Sequence, residues 1–467
     1  MRKMKLYDYQ EKAVGFQEKC KKIYLALDLG MGKTITAISA AKDFGAKNIL
    51  VVAEKNEIVN SQNFSKETNM FDGLTYINLR EESLPKGGFS RYVCGINPDG
   101  LIKHDLKEIL ENFDAMIVDE ATFAKTITTR RFKQVKKIAD GMEYLSLLSG
   151  TPMMNGASEL YAPLLLLNHP MVAGKGREGK LAFEKVFAGG HYRKIRNTGK
   201  WFQDYAWWAK GSNYVRELRW LIRDNFFFMQ KSETGLFKKK QRTIKAVPMG
   251  MDWLIEYTSA WDEYLKKAEK RSVNMDNVIE LRNLIENGQM YQVNSKWKAK
   301  QVVKDIVDGE YGKDRIVIFS MFIDTDELIQ SELKRLGVSF KTFDEIREWK
   351  GGDEQVLVGR IKANGKGSNL PEARVCLFVD MDFVPSNNIQ AENRIDRPEQ
   401  TSDMLIVYYM TEGDDVIDRH VRDINKDKMR KIEKFMAPLT VEEIQAMPEM
   451  LANLCQKFPK ETGILGI

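Results

Sequence analysis

The chain has 467 residues, 43% of them hydrophobic, 10% aromatic and 30% charged, enough for about two or three domains with cores of their own. Ordinary Pro and Gly levels (12 and 33) exclude a collagen-like or largely disordered chain, and no apolar run reaches the ~18 residues of a membrane span. The net charge is only +6, but residues 175–245 hold 18 Lys/Arg against 6 Asp/Glu, so a polyanionic partner is expected at one place.

The four cysteines (Cys20, Cys94, Cys376, Cys455) and four histidines (His104, His169, His191, His420) are scattered without CxxC or HxxxH pairs. A zinc site and a disulfide framework are therefore not expected. MRKMKLYDYQ at the start lacks an apolar signal core, which predicts a soluble protein that stays inside the cell.

Short, nearly continuous apolar runs fall at 23–27, 49–53, 116–118 and 144–148, and again at 316–319, 356–358, 375–379 and 405–409. Runs of this kind predict strands buried on both faces, as in parallel sheets covered by helices. The expected layout is a first α/β lobe over 1–168, a basic aromatic insertion over 169–214 and a return to lobe 1 over 215–250. A helical linker follows over 251–300, then a second α/β lobe over 301–425 and a helical tail over 426–467.

Strand 23–27 runs into Asp28-Leu29-Gly30-Met31-Gly32-Lys33-Thr34 and then a helical pattern. A strand, a glycine turn ending in Lys-Thr and a helix make a phosphate cradle. Backbone N–H groups at Gly30, Met31 and Gly32 meet phosphate oxygens, Lys33 reaches the outer phosphates, and Thr34 ligates magnesium. Leu27 stands where the general pattern has its first glycine. Further on, Ala115-Met116-Ile117-Val118 ends in Asp119-Glu120. At the end of a neighbouring strand, Asp119 would hold the metal and Glu120 would orient the attacking water.

Gln10 within LYDYQ, the loop GMGKT, the acids DEAT and Ser149-Gly150-Thr151-Pro152 resemble the ordered motifs of superfamily 2 helicases, most closely the Swi/Snf-type branch of duplex DNA translocases. The resemblance implies ATP and Mg2+ as cofactors, adenine recognition by Gln10, and coupling of nucleotide state to nucleic acid through Thr151. It also implies RecA-like lobes, so the expected fold is α/β, two RecA-like parallel-sheet lobes with the basic aromatic helical insertion and helical linker read from the residues above. Glu54 replaces the family's usual Pro, and Thr122 its usual His after the acids.

In the second half, Arg315–Ser320 is similar to the opening strand of the family's second lobe. Ala363–Leu370 is similar to its glycine loop, with Gly367 at the nucleotide. Gln390-x-x-x-Arg394-x-x-Arg397-x-x-Gln400 matches its arginine motif, which makes Gln390 a coupling residue and Arg394 and Arg397 the arginine fingers. Independently of the family, two arginines three apart on a helical turn share a face. A guanidinium brought to a transferring phosphoryl group contributes about 10³–10⁵ in rate. The segment 344–352 is shorter than its counterpart in the family.

Arg193, Lys194 and Arg196 lead into Trp207 and Trp208, and Trp201 and Trp220 lie close by. Cations neutralise phosphates and aromatics stack on unpaired bases, so Arg193, Lys194, Arg196, Trp207 and Trp208 are candidate nucleic-acid contacts. Packing inside the insertion is the alternative for the tryptophans. Lys238-Lys239-Lys240-Gln241-Arg242 is expected to be a solvated loop near DNA.

The expected activity is that of an ATP-dependent DNA translocase or helicase acting on duplex, forked or four-way junction DNA. Branch migration, regression or unwinding would serve replication, recombination or repair, and the annealing, fork-remodelling and phage recombination helicases are the nearest resemblance. A monomer in the cytoplasm of a bacterial or phage-infected cell is expected, without a membrane partner. The rival readings are a general duplex translocase that displaces proteins, an RNA-dependent ATPase of the same superfamily, and an inactive DNA-binding scaffold.

Overall fold

The computed structural model describes residues 5–54, 62–83, 91–121, 126–153, 155–194, 205–209, 211–270, 289–365, 369–413 and 416–467. Two compact units are formed, one by Met1–Gly235 with Arg430–Ile467 and the other by Leu236–Met429.

The first unit carries strands β1 (Lys22–Leu27), β2 (Asn48–Val52), β3 (Leu74–Asn78), β4 (Arg91–Ile96), β5 (Ala115–Val118), β6 (Tyr144–Leu148), β7 (His191–Lys194), β8 (Tyr205–Trp208) and β9 (Phe226–Met229). Among the described residues, seven of these form one sheet in the order β3-β4-β2-β5-β6-β1-β9. Every pairing in it is parallel. The β-branched and aliphatic run Ile49–Val52 has no exposed surface, as a strand covered on both faces requires. Burial of such side chains stabilises by about 1.5–3 kcal/mol each.

The second unit holds β10 (Lys240–Val247), β11 (Ile316–Ser320), β12 (Phe340–Thr342), β13 (Val356–Arg360), β14 (Val375–Phe378) and β15 (Met404–Thr411). They form an all-parallel sheet in the order β10-β15-β14-β11-β13-β12. The α/β class and the two parallel sheets expected from the apolar runs are both present.

Three parts of the expected layout differ. The end of the 215–250 stretch does not return to the first sheet, because β10 pairs with β15 along all eight residues. Nor is the run 238–242 a solvated loop throughout: Lys238 and Lys239 are exposed ahead of the strand, but the cations on β10 meet acids. Lys240 lies 3.2 and 3.0 Å from the buried carboxylates of Glu392 and Asp396, Arg242 lies 2.7 Å from Glu392, and Lys245 lies 2.8 Å from Asp305. Burial pushes the Glu392 carboxyl up, but Lys240 and Arg242 outweigh it and hold it below its ordinary range.

The helices Met251–Lys270 and Gln289–Val307 are not a separate linker. Trp253, Tyr257, Tyr291, Val302 and Val303 pack into one core with Ile316, Ile318 and Val356 of the second sheet. Lys298 is fully buried there between Asp418 (2.7 Å) and Asp380 (3.3 Å). Lastly, the tail does not begin as a new element at 426. Ile417–Met436 is one continuous helix, and Val441–Lys457 and Pro459–Leu465 follow it.

Within the first unit, the tail is seated on the insertion and the helix after it. The helix Val215–Leu221 presents Arg216 and Arg219, both buried, to the end of the helix Ile417–Met436. Arg216 donates to the carbonyls of Lys434, Ala437 and Pro438 and to Glu443. Arg219 donates to those of Phe435 and Met436 and lies 3.9 Å over the Phe228 ring. The last carbonyls of a helix lack intrahelical donors, so two guanidiniums complete this end. Burial, with Arg216 beside it, draws Arg219 down to about 10.

Candidate nucleotide site

Parallel strands bring their carboxyl ends to one edge of the first sheet, and the polar residues of the site all lie there. At the end of β1, the chain turns through Asp28–Gly32 with positive φ at Gly30 (89°) and Gly32 (71°). L-residues with a Cβ resist that region, which explains the two glycines. Gly32 is then the N-cap of the helix Lys33–Asp43.

Lys33 is largely buried, and its ammonium donates to the Leu27 carbonyl at 3.3 Å. The departure from the general phosphate-loop pattern therefore falls on a residue whose backbone oxygen receives that lysine. Thr34, in the first turn of the helix, is half-buried.

Gln10 sits in the helix Asp8–Cys20 and is buried. Its Oε1 accepts from the Tyr7 backbone N–H (3.0 Å), and its Nε2 donates to the Met31 carbonyl (3.2 Å). The Tyr9 hydroxyl donates to the same carbonyl at 2.9 Å, and burial raises this phenol far above its ordinary value. The loop is thereby held from the side on which the sequence placed a base-recognition residue.

The acids follow β5. Asp119 extends the strand through its N–H to Val52 (2.8 Å), and its Oδ1 accepts the Glu120 N–H at 2.9 Å. Glu120 is buried with φ of 44°, an uncommon conformation for a side-chain-bearing residue that costs on the order of 1–3 kcal/mol. One feature differs from expectation: β5 is not adjacent to β1, since β6 lies between them. At about 4.8 Å per strand, the acids and the loop stand roughly 10 Å apart along the edge.

The end of β6 fills that interval. Ser149 donates its N–H to Leu25 of β1 at 3.3 Å, and its Oγ donates to Glu120 Oε2 at 3.4 Å while accepting the Thr151 N–H at 3.1 Å. A Cβ at Gly150 would meet Leu29 Cγ of the phosphate loop at 2.9 Å. Ser149 thus links the acid to Thr151, and Gly150 permits the close approach to the loop. The motif marks Thr151 as the coupling residue, yet Ser149, two positions earlier in the same Ser-Gly-Thr, is the one that touches the acid.

The residues fit ATP with magnesium. The Gly30–Gly32 turn leads directly into the N-terminus of the helix Lys33–Asp43, whose backbone N–H groups suit phosphate oxygens, and Lys33 supplies the cation. Thr34 and Asp119 are hard oxygen donors, and Mg2+ is typically held by one or two protein oxygens together with phosphate and water. Among the described residues, no group of three or more His, Cys, Asp or Glu could form a protein-only metal cage.

In the second unit, the helix Pro385–Glu392 bears Gln390, half-buried, and stops before both arginines. Arg394 and Arg397 are therefore not on one helical turn. Arg394 is buried in the following turn, where its Nε donates to the Gly365 carbonyl (2.9 Å) and its own carbonyl accepts the Leu370 N–H (2.8 Å). Arg397 lies in a bend, half-buried. Arg394 thus ties the glycine loop to the end of the helix, and Arg397 is the more accessible of the two. Gly367 lies outside the described residues, as do Thr122, Arg196 and Trp201.

Of the nucleic-acid candidates, Arg193 and Lys194 lie on β7 and Trp207 and Trp208 on β8, an antiparallel pair with Tyr192 opposite Trp207. The Trp207 indole N–H donates to the buried Glu184 at 2.8 Å, on the helix Gly176–Phe187. Arg193 stands 5.2 Å over the Trp208 ring.

Sequence comparisons agree with this geometry. The family described as "Type III restriction enzyme, res subunit" matches residues 3–153, a span that includes Gln10, the loop, both acids and Thr151. The "SWI/SNF-related matrix-associated actin-dependent regulator of chromatin subfamily A-like protein 1" of Xenopus laevis is 25% identical over 413 residues, which is 84% of this chain and 40% of that protein. The human "DNA annealing helicase and endonuclease ZRANB3" is 23% identical over 440 residues, covering 88% of this chain and 38% of that protein. The chain spans about two-fifths of the length of these relatives. A solved "Sulfolobus solfataricus SWI2/SNF2 ATPase core in complex with dsDNA" aligns over 95% of this chain and 97% of that one, with a TM-score of 0.43 and 19% identity.

The loop, the strand-end acids and the two parallel sheets resemble those of the superfamily 2 helicase class. Within that class, its sequence is similar to Swi/Snf-type relatives, a DNA annealing helicase among them.

Proposed function

We propose that this chain is an ATP-dependent DNA translocase that remodels branched DNA, at forks and recombination junctions, by branch migration, regression or unwinding. The observation that carries the reading is the Glu120–Ser149–Thr151 chain of hydrogen bonds beside a glycine loop packed under Gly150. It gives one continuous path from the acid that would act on water to the segment that would answer to nucleic acid.

In this reading, Gln10 orients the adenine, and the loop N–H groups with Lys33 bind the outer phosphates. Magnesium would be held by Thr34 and Asp119 and would neutralise phosphate charge. Glu120 positions the attacking water and accepts its proton. Arg397, with Arg394 bracing the glycine loop, stabilises the charge on the transferring phosphoryl group. Thr151 and Gln390 couple nucleotide state to DNA. The similarity to a DNA annealing helicase supports DNA as the track.

The test is steady-state ATP hydrolysis without nucleic acid and with single strand, blunt duplex, fork, four-way junction and structured RNA, at one salt concentration. Greatest stimulation by forks and junctions is expected. Equal stimulation by plain duplex would reduce the reading to a general translocase, stimulation by RNA alone would replace DNA as the track, and no stimulation would leave a DNA-binding scaffold.

A further inference from the structure

The β7–β8 hairpin has two faces with different surroundings. Side chains alternate along a strand and directly opposed residues share a face, so the register puts Tyr192, Lys194, Tyr205 and Trp207 on one face and His191, Arg193, Ala206 and Trp208 on the other. On the first face Trp207 is the seated residue, while Tyr192 and Lys194 are exposed; Arg193 and Trp208 on the other face are half-buried. Trp207 donates to Glu184 and meets the Tyr192 ring edge-on at 5.0 Å. Any Cβ at Gly190 would collide with the Trp207 ring and with the backbone at Glu184 and Lys185. The hairpin base is pinned further by Gly211 N–H to Ala188 O (2.8 Å) and Asn213 N–H to Phe187 O (2.8 Å).

The opposite face bears a guanidinium over an indole, Arg193 on Trp208. Along the sequence, Lys185, Arg193, Lys194, Arg196 and Lys200 fall between Glu184 and Asp204 with no acid in between. An aromatic next to a cation in an acid-free stretch suits a ligand with both a π-face and a negative charge, which is a nucleotide whose base is unpaired. Plain duplex offers the charge without the base.

We infer that the His191–Arg193–Trp208 face binds an unpaired nucleotide of branched DNA, with Trp208 stacking on the base and Arg193 meeting its phosphate, while Trp207 is the anchor that holds the hairpin to the helix Gly176–Phe187. This rests on the branched-DNA reading above and adds a division of labour between two adjacent tryptophans.

The test measures binding of the full chain to a labelled blunt duplex, a fork with unpaired arms and a single strand, each over a series of salt concentrations. Trp208→Ala should weaken fork and single-strand binding about 5- to 150-fold, the range for loss of one stacked base, with duplex affinity within about twofold of wild type. Trp208→Phe should restore most of the loss. Arg193→Gln should lower the salt slope for the fork by about one, and Trp208→Ala should leave that slope unchanged. Trp207→Phe, which keeps a ring but loses the Glu184 bond, should lower the melting temperature with no selective loss on forks.

Equal loss on fork and duplex in Trp208→Ala, or wild-type binding to all three, overturns the inference and leaves the translocase reading standing. If Trp208→Ala does not fold, an unchanged salt slope in Arg193→Gln overturns it instead. A wild-type chain that binds none of the DNAs removes the branched-DNA reading itself.

Discussion

The Gln10 carboxamide occupies the space that a side chain at position 32 would need: a Cβ on Gly32 would lie 2.5 Å from Gln10 Nε2. The same Nε2 donates to the Met31 carbonyl, so the loop and Gln10, the proposed base-recognition residue, are fitted to each other through one glycine. Position 32 is also left-handed, which costs an L-residue about 1–2 kcal/mol. Gly32→Ala should therefore raise the KM for ATP about tenfold or more and narrow the preference for ATP over GTP, because the displaced amide no longer reads the base. Hydrolysis assays with both nucleotides check this; an unchanged KM and preference would separate Gln10 from base recognition.

The two arginines of the second unit differ in surroundings, so their substitutions should differ in kind. Arg397→Ala should reduce turnover by about 10³-fold or more, the scale for a lost arginine finger, with the melting temperature near wild type. Arg394→Ala removes a buried donor from the Gly365 carbonyl and should lower both turnover and stability, the latter by about 1–3 kcal/mol. Lys33→Ala should abolish hydrolysis while DNA binding persists. Turnover and thermal melting on the same preparations distinguish these outcomes.

This contrast also shows what could be read in advance. The loop at Gly30–Thr34, the acids after Val118 and the apolar runs of β1, β2, β5, β6, β11 and β13–β15 were legible, because buried parallel strands and phosphate loops impose their residue types locally. The helix end at Glu392 was not, since Arg394 leaves the helix only by virtue of Gly365 and Leu370, which lie far off in sequence. Nor was β10, an edge strand in which five of the eight residues are cationic or polar and whose charges are matched by Glu392, Asp396, Asp305 and Glu310. A basic run reads the same whether it meets DNA or its own acids.

Arg216 and Arg219 illustrate the same limit and carry a prediction. Each looks like another cation of the basic stretch, yet both are buried against the end of the helix Ile417–Met436. Arg219→Met keeps the bulk over Phe228 but leaves the Phe435 and Met436 carbonyls without those donors. Hydrogen bonds from a charged group contribute about 1.5–3 kcal/mol, so chemical denaturation should show a loss of that order in the first unit, with little change in nucleotide affinity. A variant of wild-type stability would mean that water replaces the guanidinium without cost.

The last prediction concerns pH. Asp326 is pushed up to about 6, mainly by burial, with Arg360 and the Ser320 hydroxyl (3.4 Å) opposing the rise. An unfolded Asp titrates near 3.9, so between about pH 4 and 6 the native state binds the extra proton and stability falls as pH rises. The loss is complete above the native value. A rise of this size is worth roughly 3 kcal/mol at most, and partial hydration makes it less. Asp326→Asn removes the ionisation and should stabilise the second unit at pH 7.5 by about 1–3 kcal/mol relative to wild type, with no gain at pH 4. Urea midpoints at the two pH values give the answer: a gain at both would point to packing, and a loss at pH 7.5 would show that the Asp326 carboxylate is held favourably by Arg360.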